Sequence, residues 1–252
     1  MPEQAPVVLI TGAARRIGAC IARRLHQHNF RIVIHYQHSA DAANTLCQEL
    51  NERRADSACA IRANLSDIDA VKQLATASIA RWHRLDALVN NASSFYPTPL
   101  PTANEAQWHD LMGSNLRGPF FLCQATASEL TQRHGAIVNI ADIYARQPLD
   151  AHSIYCIAKA GNIMLTRAMA QELAPQVRVN GIAPGVILWP EKTTQKTPGK
   201  NTDKTQQSLV EKIPLNRMGN PEDIALLAEF LITNASYITG QTIAVDGGKQ
   251  LV

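Results

Sequence analysis

Short apolar runs alternate along the whole chain with longer segments in which apolar residues recur at helical spacing. The first run, 7–10, leads through a glycine-bearing turn into the segment 17–28, where Ile17, Ile21 and Leu25 share one helical face. The runs predict strands at 7–10, 30–35, 58–63, 87–90, 136–140, 177–182 and 241–245, and the segments between them predict helices at 17–28, 39–54, 67–81, 104–132, 152–174 and 221–233. Strands separated by helices of about ten or more residues are typical of parallel βαβ units. The pattern therefore predicts an α/β fold built on a doubly wound, Rossmann-type parallel sheet of about seven strands.

The composition suits a single domain over residues 1–252, because 46% of the 252 residues are hydrophobic and no linker divides the chain. The 24 basic residues nearly balance the 21 acidic ones, and the Lys and Arg residues are scattered rather than clustered. A net charge of +3 gives no reason to expect a nucleic-acid partner. We therefore expect a small-molecule ligand.

The cysteines and the first residues bear on the compartment. The five cysteines form an odd set without a CxxC pair, so we expect reduced thiols and no metal site. The segment 1–6 contains no basic residue, and the apolar run after it is too short for a signal peptide or a spanning helix. We expect a cytoplasmic protein that has no membrane partner.

The turn after the first predicted strand, Thr11 to Gly18, has the features of a phosphate-binding turn. Gly12 permits a tight turn, Gly18 permits close packing of the next helix, and the helix N-terminus offers free N–H groups to a pyrophosphate. Arg16 occupies the place of the second glycine of a dinucleotide-binding fingerprint. The alternative interpretation is a strand-to-helix turn that binds nothing.

The end of the second predicted strand indicates which dinucleotide would bind. NAD sites usually place a carboxylate there for the ribose hydroxyls, whereas residues 35–39 are His-Tyr-Gln-His-Ser and the first carboxylate is Asp41. Arg15 and Arg16 lie in the facing turn, and guanidinium groups suit the 2′-phosphate of NADP. Unless these two arginines are simply solvated, the sequence favours NADPH.

A tyrosine and a lysine four residues apart, Tyr155 and Lys159, fall on neighbouring turns of one predicted helix. An ammonium group beside a phenol favours the phenolate, so we expect the pKa of Tyr155 to be lowered. Such a tyrosine can act as an acid or base near neutrality. The alternative interpretation is an amphipathic surface pair.

These features occur together with Asn90-Asn-Ala-Ser93 after the fourth predicted strand and with Pro184-Gly185 after the sixth. In this combination the chain resembles the short-chain dehydrogenase/reductase family, from Val7 to the terminal Asp246-Gly-Gly248. The resemblance implies a nicotinamide-dependent oxidoreductase. It also implies a homotetramer with the helices 104–132 and 152–174 at its interfaces.

The substrate class follows from a departure from that family pattern. A Ser normally precedes the tyrosine by 12 or 13 positions, whereas Asp142 stands 13 residues before Tyr155 here. The features that make the chain similar to the pteridine reductases are Asp142, Arg16, His35-Tyr36 with Ser39, the segment 91–100 and Gln147-Pro-Leu149. A pterin is flat and rich in donors and acceptors, so it suits an aromatic lid and a few polar anchors.

The resemblance implies a role for each matching residue. Tyr155 would donate the proton, Asp142 would orient Tyr155 and the pterin, and Asn115 and Lys159 would sustain a water-linked proton relay. The implied cofactor-binding residues are Gly12, Arg15, Arg16, Ile17, Gly18, Tyr36, His38, Ser39, Asn64, Leu65, Asn91, Ala92, Ser93, Lys159, Pro184 and Gly185. The implied substrate-binding residues are Arg16, Ser93, Phe95, Asp142 and Tyr155, with Phe95 stacking the pterin against the nicotinamide. The alternatives are that Phe95 only fills the core and that Asp142 is only a structural cap.

One irregular stretch, 187–207, is rich in Lys, Thr, Gln, Pro and Gly and follows a predicted strand end. Loops over ligands usually lie at such ends, so we expect a substrate loop that orders over bound ligands. The alternative is an exposed charged loop without a role.

The leading functional prediction is an NADPH-dependent reductase of pterins, dihydropterins or dihydrofolate, which transfers hydride to a ring C=N bond. The alternative is a generic carbonyl or 3-ketoacyl reductase of the same fold, against which Asp142 in place of Ser argues. A third possibility is a non-catalytic NADP-binding sensor, which the intact Asn115, Tyr155 and Lys159 disfavour. The choice among individual pterins and folates stays open.

Overall fold

The computed structural model describes residues 5–187 and 210–252, and seven strands in these ranges form one parallel sheet. The strands are β1 (Val7–Ile10), β2 (Arg31–Tyr36), β3 (Ala58–Arg62), β4 (Ala87–Asn90), β5 (Ala136–Ile140), β6 (Arg178–Pro184) and β7 (Thr242–Val245). The helices are α1 (Arg16–Gln27), α2 (Ala40–Arg53), α3 (Ile68–Ala80), α4 (Glu105–Met112), α5 (Gly118–Gln132), α6 (Ser153–Glu172) and α7 (Pro221–Thr233). The strand order β3-β2-β1-β4-β5-β6-β7 reverses direction at β1, so the predicted doubly wound α/β fold is confirmed.

Helices cover both faces of the sheet, which explains why the central strands are continuous apolar runs. On one face α1, α2 and α7 contribute Leu25, Leu50 and Leu231 to a hydrophobic cluster. On the other face α3, α5 and α6 contribute residues such as Leu74 and Leu122. All four residues of β1 are buried, as expected for a central strand between two layers of helices.

The single helix predicted over 104–132 is interrupted, so that part of the prediction is wrong. A π turn, Gly113–Arg117, separates α4 from α5, and the N–H of Gly118 bonds to the carbonyl of Gly113, five residues back. Pro119 follows at once and has no N–H to donate to an α-helical ladder. Sequence periodicity missed the interruption because a π turn shifts the helix by only one residue and leaves the apolar pattern on both sides intact.

The remaining structural features concern thiols, membranes and metals. All five cysteines are free, and Cys123 and Cys156 are buried. None of the helices in the described ranges has both the length and the hydropathy that a bilayer-spanning segment requires. Within residues 5–187 and 210–252, no group of three or more potential metal-ligating side chains comes together.

Candidate active site

The loops that leave the carboxyl ends of β1, β2, β4, β5 and β6 line a cleft of about 720 Å³. Ligands of doubly wound sheets bind at this edge, beside the point where the strand order reverses. Every residue that the sequence assigned to cofactor, substrate or catalysis lines the cleft, except Tyr36 and Asn115. Tyr36 packs against the core on the α1 side of the sheet, and Asn115 is buried behind the cleft wall.

The glycine turn after β1 is packed closely enough to require its glycines. Gly12 has φ +61°, and a Cβ there would lie 2.9 Å from the Cα of Ala92. A Cβ on Gly18 would lie 2.5 Å from the carbonyl oxygen of Gly12. The Asn91 side chain donates to the carbonyls of Thr11 and Gly12, at 2.8 and 3.1 Å, and so ties the turn to the end of β4.

His35 also holds this turn, in a role that the sequence reasoning missed. Its Nδ1 accepts the N–H of Gly12 at 3.1 Å, and its Nε2 donates to the carbonyl of Ala63 at 3.2 Å, so the ring is the neutral tautomer with its proton on Nε2. Burial lowers the pKa of His35 to about 4. The available signal was a single polar residue inside the apolar run of β2, but the sequence does not show that its partner lies 23 residues away.

We expect His35 to make the protein sensitive to acid. His35 takes up a proton near pH 6.5 in the unfolded chain but only near pH 4 in the folded chain. This difference corresponds to about 3 kcal/mol of unfolding free energy, which is fully present above pH 6.5 and is lost as the pH falls from 6.5 through 4. His35→Asn, whose amide oxygen can still accept the Gly12 N–H, should remove most of that slope. Urea unfolding at pH 7.5, 5.5 and 4.5 measures it, with the exposed His134→Asn as control. Parallel curves for wild type and His35→Asn would contradict the assignment.

Arg16 adopts φ +54°, a conformation that favours glycine, at the place where the sequence lacks the second fingerprint glycine. A non-glycine residue in this conformation is strained by about 1–3 kcal/mol. The first turn of α1 contains no acidic residue, so nothing on the helix itself opposes an anion at its N-terminus. Arg15, Gln37, His38 and Ser39 line the same part of the cleft.

Asp142 and Tyr155 form the polar centre of the cleft. The Tyr155 hydroxyl donates to Asp142 Oδ2 at 2.6 Å, and Asp142 Oδ1 accepts the N–H of Tyr144 at 2.9 Å. The carboxylate therefore caps the short helical turn Ile143–Ala145 with one oxygen and binds the tyrosine with the other. Asp142 is therefore a structural cap, as the alternative interpretation holds, and it is also a hydrogen-bond partner of Tyr155.

The expected lowering of the Tyr155 pKa is wrong for this structure. Burial raises the pKa of Tyr155 well above its ordinary value, and the neighbouring Asp142 carboxylate raises it further. The Lys159 Nζ lies 5.7 Å from the centre of the Tyr155 ring and donates to the carbonyl of Ile140 at 2.8 Å. Burial in turn lowers the pKa of Lys159 to about 8. Tyr155 is thus protonated at neutral pH.

Burial also raises the pKa of Asp142, against the effect of its hydrogen bonds and of the Lys159 charge. In this pair the Tyr155 hydroxyl is the donor and the Asp142 carboxylate is the acceptor. An O–H to carboxylate bond of this length is among the stronger hydrogen bonds in proteins. The pair therefore fixes the orientation of the tyrosine hydroxyl.

Asn115 connects the π turn to the cleft wall. Its Oδ1 accepts from the hydroxyl of Ser93 at 2.7 Å, and its Nδ2 donates to the carbonyls of Ser94 and Leu111, both at 2.9 Å. Nearby, the Tyr96 hydroxyl donates to Asp110 of α4 at 2.9 Å, a contact that sequence reasoning did not identify. Both contacts hold the loop after β4 against the helices.

The Phe95 ring stands at the mouth of the cleft. It stacks on His152 with ring centres 4.8 Å apart and meets Tyr155 edge-on at the same distance. Phe95 is 51% exposed, so the alternative that it merely fills the core is wrong. An exposed aromatic ring beside the ring of Tyr155 can stack a flat ligand.

The predicted substrate loop 187–207 lies outside the described residues, except for Ile187. Ile187 is buried and lines the cleft next to Gly185. Whether the loop orders over ligands therefore stays a prediction.

Sequence comparisons identify known reductases that are similar to this chain. The family model described as enoyl-(acyl carrier protein) reductase matches residues 12–250. Pteridine reductase 1 of Leishmania tarentolae is 36% identical, across 98% of this chain and 97% of that protein. The 3-oxoacyl-(acyl-carrier-protein) reductase FabG of Staphylococcus aureus is also 36% identical, across 96% of this chain and 97% of that protein. The corresponding reductase of Synechocystis sp. is 36% identical across 97% of this chain. Since the identities are equal, they do not choose between a pterin and an acyl thioester.

Proposed function

Since this chain belongs to the short-chain dehydrogenase/reductase family, we propose that it is an NADPH-dependent reductase of pterins, dihydropterins or dihydrofolate. The observation that carries the proposal is the carboxylate of Asp142, which lies in the cleft and binds the Tyr155 hydroxyl at 2.6 Å. A carboxylate can accept hydrogen bonds from the amino and ring N–H groups of a pterin, whereas a β-ketoacyl group offers no such donors near its carbonyl.

The cleft fits the dinucleotide. The tight glycine turn, the uncapped N-terminus of α1 and the arginines of that turn form a cradle for phosphates. We assign the pyrophosphate to residues 12–18, the 2′-phosphate to Arg16, His38 and Ser39, and the nicotinamide ribose to Lys159. When bound, the dihydronicotinamide supplies a hydride.

The residues of the chain would complete the reduction by supplying a proton. Tyr155 holds it on its hydroxyl oxygen, because its raised pKa keeps the phenol protonated at neutral pH. Asp142 orients that hydroxyl, and the ring of Phe95 covers the flat substrate. Hydride addition to the carbon of the C=N bond and proton transfer from Tyr155 to its nitrogen give the reduced ring.

A second candidate is a 3-oxoacyl or carbonyl reductase, which the equal identity to the FabG relatives favours. The experiment that separates the candidates is NADPH oxidation assayed with biopterin, 7,8-dihydrobiopterin, dihydrofolate, acetoacetyl-CoA and a simple ketone. Turnover of pterins well above the others supports the proposal, and preference for acetoacetyl-CoA would overturn it. NADPH binding without turnover of any of them would indicate a sensor.

We expect kcat/KM with NADPH to exceed that with NADH by at least about tenfold, because a charge-assisted contact to the 2′-phosphate is worth roughly 1.5–3 kcal/mol. Arg16→Ala should remove most of this preference, because it should lower kcat/KM with NADPH much more than kcat/KM with NADH. Arg53→Ala, an exposed arginine on α2 that pairs with Glu49, is the control. Equal efficiency with both cofactors in the wild type would refute the cofactor assignment.

We also propose that the protein is a homotetramer in the cytoplasm. The outer faces of α4, α5 and α6 expose Trp108, Phe120 and Met164 around a groove of about 500 Å³. Apolar patches of this kind mark interfaces, and a second copy of the chain would bury them. The free thiols suit a reducing compartment.

A further inference from the structure

Asn162 is a buried polar residue on α6 with an unsatisfied oxygen atom. Its side chain is one turn beyond Lys159, and the residue is only 1% exposed. Its Nδ2 donates to the backbone carbonyl of Asn115 at 3.2 Å, whereas its Oδ1 is buried and has no hydrogen-bond partner within the described ranges 5–187 and 210–252. A buried acceptor without a hydrogen bond lowers the free energy of unfolding by about 1–3 kcal/mol. We therefore expect Asn162 Oδ1 to receive a hydrogen bond from a donor such as a side chain or a water molecule.

The carbonyl of Asn115 is open to Asn162 because of the π turn. In an α-helix this carbonyl would bond to the N–H four residues later, but that residue is Pro119, which has no N–H. The N–H of Gly118 reaches back to Gly113 instead. The Asn115 carbonyl is therefore free to accept a hydrogen bond from the side-chain amide of Asn162 on α6.

Lys159 lies one helical turn before Asn162 and is a donor with several N–H groups. It is 2% exposed, and its ammonium group has three N–H donors, of which the Ile140 carbonyl takes one. Among the described residues, the titratable groups that act on it are Asp142, whose charge favours the ammonium, and Tyr155, whose ring it faces. A buried ammonium group requires more acceptors than one carbonyl supplies.

We infer that Asn162 is a positioning residue that holds Lys159 in its charged form. Asn162 Nδ2 is anchored on the Asn115 carbonyl, and Asn162 Oδ1, which makes no direct hydrogen bond to the described residues, accepts from Lys159 Nζ through one water molecule. The catalytic consequence of this inference rests on the proposed function, in which Lys159 supports the nicotinamide ribose next to the proton donor Tyr155. The interaction itself is a property of the protein without ligands.

The test is the titration of Lys159 in a pair of nearly isosteric variants. The chain has eight lysines, so the ε-carbon signal of Lys159 can be followed by NMR in protein labelled with ¹³C-lysine and assigned with Lys159→Arg. Asn162→Leu removes the acceptor and should lower the pKa of Lys159 by about one unit. Asn162→Asp places an anion beside the ammonium and should raise that pKa by about one unit or more.

The same variants should shift the alkaline limb of the kcat profile in those opposite directions. Asn180→Leu and Asn180→Asp are the matched controls, because Asn180 is equally buried but bonds to Ile238 and Gln241 on the far edge of the sheet. We expect these controls to lose stability and to leave the Lys159 titration unchanged. A purely structural Asn162 would behave in the same way as Asn180.

Opposite shifts of the Lys159 pKa in the two Asn162 variants support the inference, and an unmoved titration or shifts of the same sign overturn it. If Asn162→Leu does not fold, Asn162→Asp decides alone, since a raised pKa supports the inference and an unchanged one rejects it. The titration needs no substrate. The inference about Asn162 can therefore be supported even if the substrate assays reject the proposed function. It can also be overturned while those assays support that function.

Discussion

Replacing Tyr155 with Phe is expected to lower kcat by roughly 10²–10⁴-fold while leaving NADPH binding nearly unchanged. The Tyr155 hydroxyl is the donor that faces the cleft, and burial together with Asp142 keeps it protonated. The substitution removes one oxygen atom and leaves the ring, its edge-on contact with Phe95 and the α6 backbone in place. Only proton delivery should be lost.

Steady-state assays with NADPH and 7,8-dihydrobiopterin measure this effect, and NADPH fluorescence titration measures binding. Tyr144→Phe is the matched control, because Tyr144 also adjoins Asp142 but bonds to it through its backbone N–H. Its kcat should change far less. If Tyr155→Phe retained most of its kcat, the proton would have to come from water or another side chain.

Replacing Asp142 with Ser is expected to lower kcat/KM for pterins by about 10- to 100-fold, because a hydrogen bond to a charged group is worth roughly 1.5–3 kcal/mol. Serine is the residue that the family normally has there, and it can still cap the turn Ile143–Ala145. Activity on simple ketones should fall much less or even rise, because a hydroxyl group can polarise a carbonyl.

The ratio of the pterin effect to the ketone effect is the decisive quantity, since it cancels any general damage to folding or cofactor binding. The unfolding free energy of Asp142→Ser, measured in urea, serves as the control for the lost cap. A parallel fall of both activities would show that Asp142 acts only on structure. In that case the pterin proposal would lose its main physical support.

Several features of the site were predictable from the sequence because they depend on neighbouring residues along the chain. Hydrophobic periodicity placed the ends of all seven strands within one residue, except that β6 extends two residues further than predicted, to Pro184. The carboxyl ends of parallel strands meet at one edge of a sheet, so placing the strands also brought Gly12, Asp142 and Tyr155 into one cleft.

The structure revised two points of detail. The helix expected over 104–132 contains a π turn, and the pKa of Tyr155 is raised rather than lowered. The last error has a clear origin. The sequence shows that Lys159 is four residues from Tyr155, but it does not show that the Asp142 carboxylate lies closer to the phenol oxygen than the ammonium does.

The amino-acid sequence alone determined the order of strands and helices along the chain, the glycine turn after β1 and the identity of the residues at the strand ends. These follow from spacing along the chain, because backbone periodicity and turn chemistry act over only a few residues. Only the tertiary structure decided the neutral state of His35, the protonated state of Tyr155 and the unsatisfied oxygen of Asn162. Each depends on burial and on a partner 13 to 47 residues away in the sequence. Desolvation and hydrogen bonding act through space, so the chemistry of these groups is set when the chain has folded.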